Sequence, residues 1–244
     1  FNFSITSSDS YAATLSFPDI NGDGFADACV RGPNGIECSK STGGSFQRPK
    51  QWASAFSNAN GWSAPKHFET IAFPDLNGDR KADVCGRGDS GLVCGLSTGN
   101  GFASPSVLTQ SGQFGNNGHF GSSPNADNTD WDSSPAYYST IQYADIDDDG
   151  DLDACGRGRD GIYCATFNYL MRRFDSGRYW ANGQYRDSQG WNAPQYYRTI
   201  RFGDINGDGA SDVCGRGSAG MYCGKADSAL QRFVGKSTPD APFF

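Results

Sequence analysis

Asp19, Asn21, Asp23 and Asp27 place side-chain oxygens at positions 1, 3, 5 and 9 of the stretch DINGDGFAD, and Cys29 and Cys38 follow, nine residues apart, around Gly-Pro-Asn-Gly. Oxygens alternating along a tight loop converge on one centre, and the backbone carbonyl of position 7, Phe25, supplies a natural fifth donor. Hard oxygen donors without histidine or cysteine select Ca²⁺ over Zn²⁺ or Cu²⁺, and Mg²⁺ tolerates fewer protein ligands. A ligand set this complete leaves little open coordination for catalysis, so the metal is expected to be structural.

The same pattern recurs. Asp75, Asn77, Asp79, Lys81 and Asp83 form a second loop, Asp145, Asp147, Asp149, Asp151 and Asp153 a third, and Asp204, Asn206, Asp208, Ala210 and Asp212 a fourth, with Lys81, Asp151 and Ala210 offering the position-7 carbonyl. Arg80 replaces the glycine of position 6 in copy two, while Asp148 and Asp151 add carboxylates to copy three. The opening is that of a helix–loop–helix calcium site. A cysteine-bearing strand stands where such a loop carries its glutamate, so these loops join strands.

The thiols have a different task. Folding copy two about Gly88-Asp89-Ser90-Gly91 pairs 87 with 92, 86 with 93 and 85 with 94, which sets Cys85 opposite Cys94 at a non-hydrogen-bonded pair, where Cα atoms are closest. The same arithmetic gives Cys29–Cys38, Cys155–Cys164 and Cys214–Cys223. Each closes a loop of about ten residues, worth roughly 2.7 kcal/mol on the chain-entropy estimate. C-x8-C is not a zinc spacing.

The elements that position these groups repeat with them. The leading aspartates Asp19, Asp75, Asp145 and Asp204 are 56, 70 and 59 residues apart, and GWSAPKHFETIAF, DWDSSPAYYSTIQY and GWNAPQYYRTIRF precede the last three copies. Each unit reads as three or four short strands: a TI-x-aromatic segment, the two cysteine strands, and a strand after Phe46, Phe102, Phe174 or Phe233. No 3.6-residue apolar period is sustained anywhere. Four-stranded units repeated at this spacing predict an all-β fold, a single β-propeller domain over residues 1–244 with units near 11–56, 62–112, 131–182 and 191–244. FNFSIT at the start is positioned to close the ring against the last unit.

Composition agrees. Glycine numbers 33 of 244 residues, and only Glu37 and Glu69 of the 27 acids are glutamate, a bias toward turns and calcium loops. The charge of −7 argues against nucleic acid, and no apolar run is long enough to span a membrane. Phe1 in place of methionine reads as a processed, secreted form, eight cysteines fit an oxidising compartment, and Asn2-Phe-Ser4 is a glycan acceptor site.

The D-x-N-G-D-G-x-x-D loops after an aromatic, repeated with W-x-x-P segments over residues 19–233, resemble the FG-GAP/VCBS repeat family. The resemblance implies a calcium-binding β-propeller of the kind found in integrin α-chains and in fungal lectins similar to that of Psathyrella velutina, with Ca²⁺ in the loops 19–27, 75–83, 145–153 and 204–212. The family usually has seven blades, and the paired C-x8-C is not general to it.

Function is expected where aromatic and polar groups meet. Trp62, Trp131 and Trp191 recur before the proline, with Trp52 and Trp180 in preceding strands. They are either packing or platforms for sugar rings, and Trp62, Trp131, Trp180 and Trp191 are the candidate ligand-binding residues. Arg31, Arg87, Arg157 and Arg216 are expected to form ion pairs with the loops, and Arg87-Gly88-Asp89 reads as a chance adhesion motif. The unrepeated segments 114–132 and 167–187 carry His119, Asp127, Asp130 and Asp132, and Arg172, Arg173, Arg178 and Tyr179. The expected function is secreted carbohydrate binding. The alternative is a polysaccharide lyase or glycosidase using those insertions, although no established catalytic motif is present, and a third reading is an adhesion or inhibitor module. A homo-oligomer is compatible with the count of four units.

Overall fold

The computed structural model describes residues 9–110, 112–116 and 130–235. The chain divides into two compact units, Phe1–Leu108 and Thr109–Phe244, each containing two sequence copies. The Asn2 site, FNFSIT, His119, Asp127 and the last nine residues lie outside the described residues.

Each copy is an antiparallel meander. In the first unit, Ala28–Gly32, Gly35–Ser39 and Lys50–Ala53 form one sheet, and Val84–Gly88, Gly91–Gly95 and Ser106–Val107 another. Ser16 and Ala72 add single bridges to Cys29 and Cys85, where the TI-x-aromatic strand was expected. In the second unit that strand is present as Gln142–Ala144 and Arg201–Gly203, which gives two four-stranded sheets, and a separate two-stranded ribbon pairs Phe167–Asn168 with Arg173–Phe174. The cysteine hairpins take the register that the turn dictates: Cys85 opposes Cys94, Gly86 opposes Val93 and Arg87 opposes Leu92. All four disulfides form, each across Cα atoms 4.1 Å apart.

The Trp-Pro segments enter one-turn helices, Pro65–Phe68, Pro135–Tyr138 and Pro194–Tyr197, each started by its proline, which needs no N–H bond there. Asp9–Ala12 is the equivalent turn in copy one, although it lacks the tryptophan and proline. The threonine after each turn joins it to the hairpin. Thr14, Thr70, Thr140 and Thr199 donate their hydroxyls to carbonyls three residues back, at 2.7–2.8 Å. The same hydroxyls accept the backbone N–H of Arg31, Arg87, Arg157 and Arg216 at 2.7–2.9 Å.

Within each unit the core lies between successive copies. Ile20 of the first loop packs with Ala82 and Val84 of the second copy, and Ile146 packs with Ile200 and Val213. Trp52 packs tilted against Phe102 at 5.3 Å and Trp180 against Phe233 at 5.5 Å, in each case an outer-strand tryptophan against the next copy's phenylalanine. The recurrent tryptophans explain a glycine. A Cβ on Gly86, Gly156 or Gly215 would lie 2.6, 2.8 or 2.9 Å from the indole of Trp62, Trp131 or Trp191. Copy one has no such tryptophan, and Val30 occupies the glycine's place, fully buried. Gly156→Ala should therefore destabilise the second unit by about 1–3 kcal/mol through overpacking. Urea unfolding checks this, and an unchanged midpoint would refute the packing assignment.

Candidate functional site

The first aspartate of each loop acts as an anchor for the backbone. Asp145 Oδ1 accepts the N–H of Asp148 at 2.7 Å and Oδ2 that of Gly150 at 3.0 Å, and Asp19 and Asp204 repeat the pattern with Gly22 and Gly24 and with Gly207 and Gly209. In copy two Asp75 takes the N–H of Asp79 and of Arg80. Positions 4 and 6 require positive φ, and the two residues that replace glycine there adopt it: Asp148 at 61° and Arg80 at 66°.

The aspartate of position 9 is buried. Asp27, Asp83, Asp153 and Asp212 are at most 1 % exposed. In each, Oδ2 accepts the N–H of position 2 at 3.0–3.1 Å. Oδ1 accepts an N–H fourteen residues on, from Ser41, Ser97, Phe167 or Ala226, at 2.6–2.7 Å. Burial pushes Asp83 up to about 7 and Asp153 up to about 8, although those two donors pull the other way.

In copy three, carboxylate oxygens of Asp145, Asp147 and Asp149 come within 4.8 Å of one another. Asp147 is pushed up to about 6 by burial and by its two acidic neighbours. Its Oδ1 is buried without a hydrogen-bond partner among the described residues. Three converging carboxylates and an orphaned oxygen fit a hard divalent cation. In copy two Lys81 Nζ instead binds Asp79 Oδ2 at 2.9 Å.

The expected ion pairs between Arg31 or Arg157 and the loops do not form. Arginine and loop aspartate share a strand face, but four residues, about 13 Å, separate them. Arg31, Arg87 and Arg157 are fully buried and clamp turns instead. Arg31 Nε donates to Phe56 O at 3.0 Å and its Nη2 to Asn58 Oδ1. Arg157 Nε donates to Tyr185 O at 2.8 Å, and its Nη2 pairs with Asp187, which also accepts the Tyr137 hydroxyl. Burial of Arg87 removes it from any adhesion motif. Asp89, at the exposed tip, faces His67 Nε2 at 3.3 Å and Lys66 Nζ at 3.7 Å.

The tryptophans are core. Trp62, Trp131, Trp180 and Trp191 are 5, 0, 3 and 6 % exposed, which leaves no open ring face for a sugar. Each recurrent indole is capped by a further aromatic that the sequence reading missed: Phe56 on Trp62 at 4.6 Å, Phe114 on Trp131 at 4.8 Å and Tyr185 on Trp191 at 4.6 Å. The signal was an aromatic six residues before Trp62 and Trp191, hidden in copy three by the insertion. Of the second insertion, Tyr179 and Trp180 are buried in the strand Arg178–Asn182, while Arg172, Arg173 and Arg178 are exposed.

Trp191 lines a cavity. A space of about 200 Å³ in the second unit is bounded by Trp191, Tyr196, Tyr222, Gln184, Gln189 and Ser218. Tyr185 donates its hydroxyl to Tyr222 O at 2.9 Å and fixes one wall. Copy three has Tyr163 at the place of Tyr222, but there it packs against Phe114 and Tyr179 and is 2 % exposed.

Residues 19–86 match the FG-GAP-like repeat model. The chain is similar in structure to an Agrocybe aegerita lectin that recognises non-reducing terminal N-acetylglucosamine, with a TM-score of 0.74 and 22 % identity over 93 % of this chain and 52 % of the lectin. It thus spans about half the length of that relative. A Photorhabdus luminescens Tc holotoxin pore is similar at TM-score 0.54 and 18 % identity, over 96 % of this chain and 9 % of that one. No curated protein sequence matches the chain.

The buried aspartates set a pH dependence. Their folded-state affinity for protons is raised, so in chelator the stability they contribute is complete below about pH 4 and is lost as pH rises through about 7 for Asp83 and 8 for Asp153. Asp204, held below the ordinary range by the amides of Gly209, Gly207 and their neighbours, acts in the opposite sense and loses its contribution only at lower pH. Urea unfolding in EDTA should therefore show stability falling between pH 5 and 8. A rise across that window would contradict the assignment.

Proposed function

We propose that the chain is a secreted, calcium-stabilised β-propeller module that binds carbohydrate, and that the cavity beside Tyr222 holds the sugar. That cavity carries the reading. It lies below the roughly 300–1,000 Å³ of drug-sized ligand pockets, which suits one terminal sugar residue rather than a polysaccharide segment. Tyr222 and Tyr196 are half-buried and offer apolar surface to the C–H face of a pyranose, with Trp191 also in the lining. Gln184, Gln189 and Ser218 provide donors and acceptors for hydroxyl or acetamido groups. The structural likeness to a lectin for terminal N-acetylglucosamine supports the ligand class and makes that sugar the first to test. The four paired disulfides support an oxidising, extracellular setting. No helix among the described residues is long and apolar enough to cross a membrane.

Calcium enters this reading as a brace. Asp145, Asp147 and Asp149 would hold it in copy three, with Asp19, Asn21 and Asp23, Asp75, Asn77 and Asp79, and Asp204, Asn206 and Asp208 in the others. The bound ion would neutralise crowded carboxylates and keep them ionised. The position-9 aspartates, already bonded to two amides each, retain further lone pairs for the ion.

A glycan array read in Ca²⁺ should give signal on terminal N-acetylglucosamine, and Tyr222→Ala should weaken it about ten-fold or more. Absence of any glycan signal in Ca²⁺ sinks the carbohydrate reading. Separately, saturating Ca²⁺ should raise the melting temperature, by little at pH 5 and by more at pH 8, because protons compete for Asp147 and its neighbours. A melting temperature indifferent to Ca²⁺ at pH 8 counts against the metal loops alone.

A further inference from the structure

The hairpin that leaves each cysteine strand differs in length between copies. In copies one and two it closes over residues 42–45 and 98–101, beneath the bridges Ser41–Phe46 and Ser97–Phe102, with tips of threonine, glycine, serine and asparagine. In copies three and four an extra pair, Asn168–Arg173 and Asp227–Arg232, carries the turn outward to residues 169–172 and 228–231.

Both longer tips have the same construction. Asn168 Oδ1 accepts the Met171 N–H at 3.0 Å, and Asp227 Oδ1 accepts that of Leu230 at 2.9 Å. Arg172 N–H bonds Tyr169 O and Gln231 N–H bonds Ser228 O, each at 3.3 Å, with Arg172 and Gln231 in the left-handed region at φ 50° and 48°. The stalk of the third is rooted by Phe167, whose N–H donates to Asp153 and whose ring meets Phe174 at 5.2 Å. These tips are built in advance of any contact.

What they present is apolar. Leu170 is 91 % exposed, Met171 61 %, Tyr169 53 % and Leu230 55 %. Isolated exposed apolar residues are ordinary, but three in succession at an apex are not. Cations flank them. Arg172 and Arg173 are exposed and form no ion pair among the described residues, and Arg173 Nη2 lies 3.4 Å from Met171 Sδ. The nearby Asp175 carboxylate is engaged by the Asn168 amide at 3.3 Å. On a chain of net charge −7 this is a cationic island with an apolar summit.

We propose that the Tyr169–Arg173 tip docks on the surface of an anionic phospholipid bilayer, with the Leu230–Arg232 tip of copy four as a second contact. Leu170 and Met171 enter the boundary between headgroups and acyl chains, Tyr169 lies at the interface, and Arg172 and Arg173 reach the phosphates on flexible apolar stems. A protein partner would need a pocket shaped to a convex apex, whereas a bilayer boundary yields to it. The arginines also overcome the repulsion that a chain of this net charge would otherwise meet at an anionic surface.

The test is flotation of the full chain, in Ca²⁺, with vesicles of phosphatidylcholine containing phosphatidylserine, against vesicles of phosphatidylcholine alone. Wild type should float with the anionic vesicles. Leu170→Ser/Met171→Ser and Arg172→Glu/Arg173→Glu should each lower partitioning on the order of ten-fold at unchanged melting temperature, the replaced groups being exposed. Failure of the wild type to float overturns the proposal. So does equal flotation of the variants, which would assign the attraction to Ca²⁺ bridging between loops and lipid. Depth is read independently with Leu170→Cys carrying an environment-sensitive fluorophore, since all eight native cysteines are in disulfides. A blue shift on anionic vesicles supports insertion. Capture of the tip by a protein, without that shift, would mark it as a protein-docking surface and overturn the lipid assignment.

Discussion

A buried carboxylate that accepts two backbone N–H bonds is the contact on which each copy depends. Burial of a charge without compensation is costly, and here both oxygens of Asp27, Asp83, Asp153 and Asp212 are satisfied by amides brought from opposite directions. One amide belongs to the start of the loop and the other to the segment leaving the second cysteine strand. A single side chain thereby closes the loop, aligns the hairpin and roots the outer turn. Neighbouring copies build on the result: Asp19 O accepts the Ala82 N–H at 2.7 Å, and Asp145 O accepts that of Ser211 at 2.6 Å. A metal in the loop would reinforce a frame that these bonds already define.

The hairpin register and the four disulfides were legible because a two-residue turn leaves only one way to pair flanking strands. The loop positions were legible because four copies preserve oxygen at 1, 3, 5 and 9. The one-turn helices were not, since four residues are too few to show a helical period. The arginines were misassigned because a shared strand face does not imply contact over four residues. The tryptophans illustrate a subtler loss. Their recurrence suggested either platform or packing, and the deciding clue lay downstream: glycine follows the first cysteine wherever a tryptophan precedes the copy, and Val30 stands there where none does. The capping aromatics were obscured by a Phe/Tyr exchange and by the insertion before Trp131.

Repetition and function divide along the same line. Carboxylates, disulfides, threonine clamps and tryptophans recur and hold the frame. The features able to select a partner are those in which copies differ: Tyr222 beside an open cavity where Tyr163 is packed, and apolar tips where copies one and two have glycine and threonine. The same hairpin geometry serves as core in one copy and as a surface in another because one or two neighbouring side chains change.

The claim that the ninth-position carboxylate is the keystone is tested most directly by native-state amide hydrogen exchange at residue resolution in chelator, at mildly acidic pH. The account predicts that Ile146 and Phe167, and likewise Ile20 with Ser41 and Leu76 with Ser97, exchange as slowly as the cysteine strands they join, in the absence of any divalent ion. Rapid exchange at these amides while the cysteine strands stay protected would contradict it, because the frame would then hold without the carboxylate bridge.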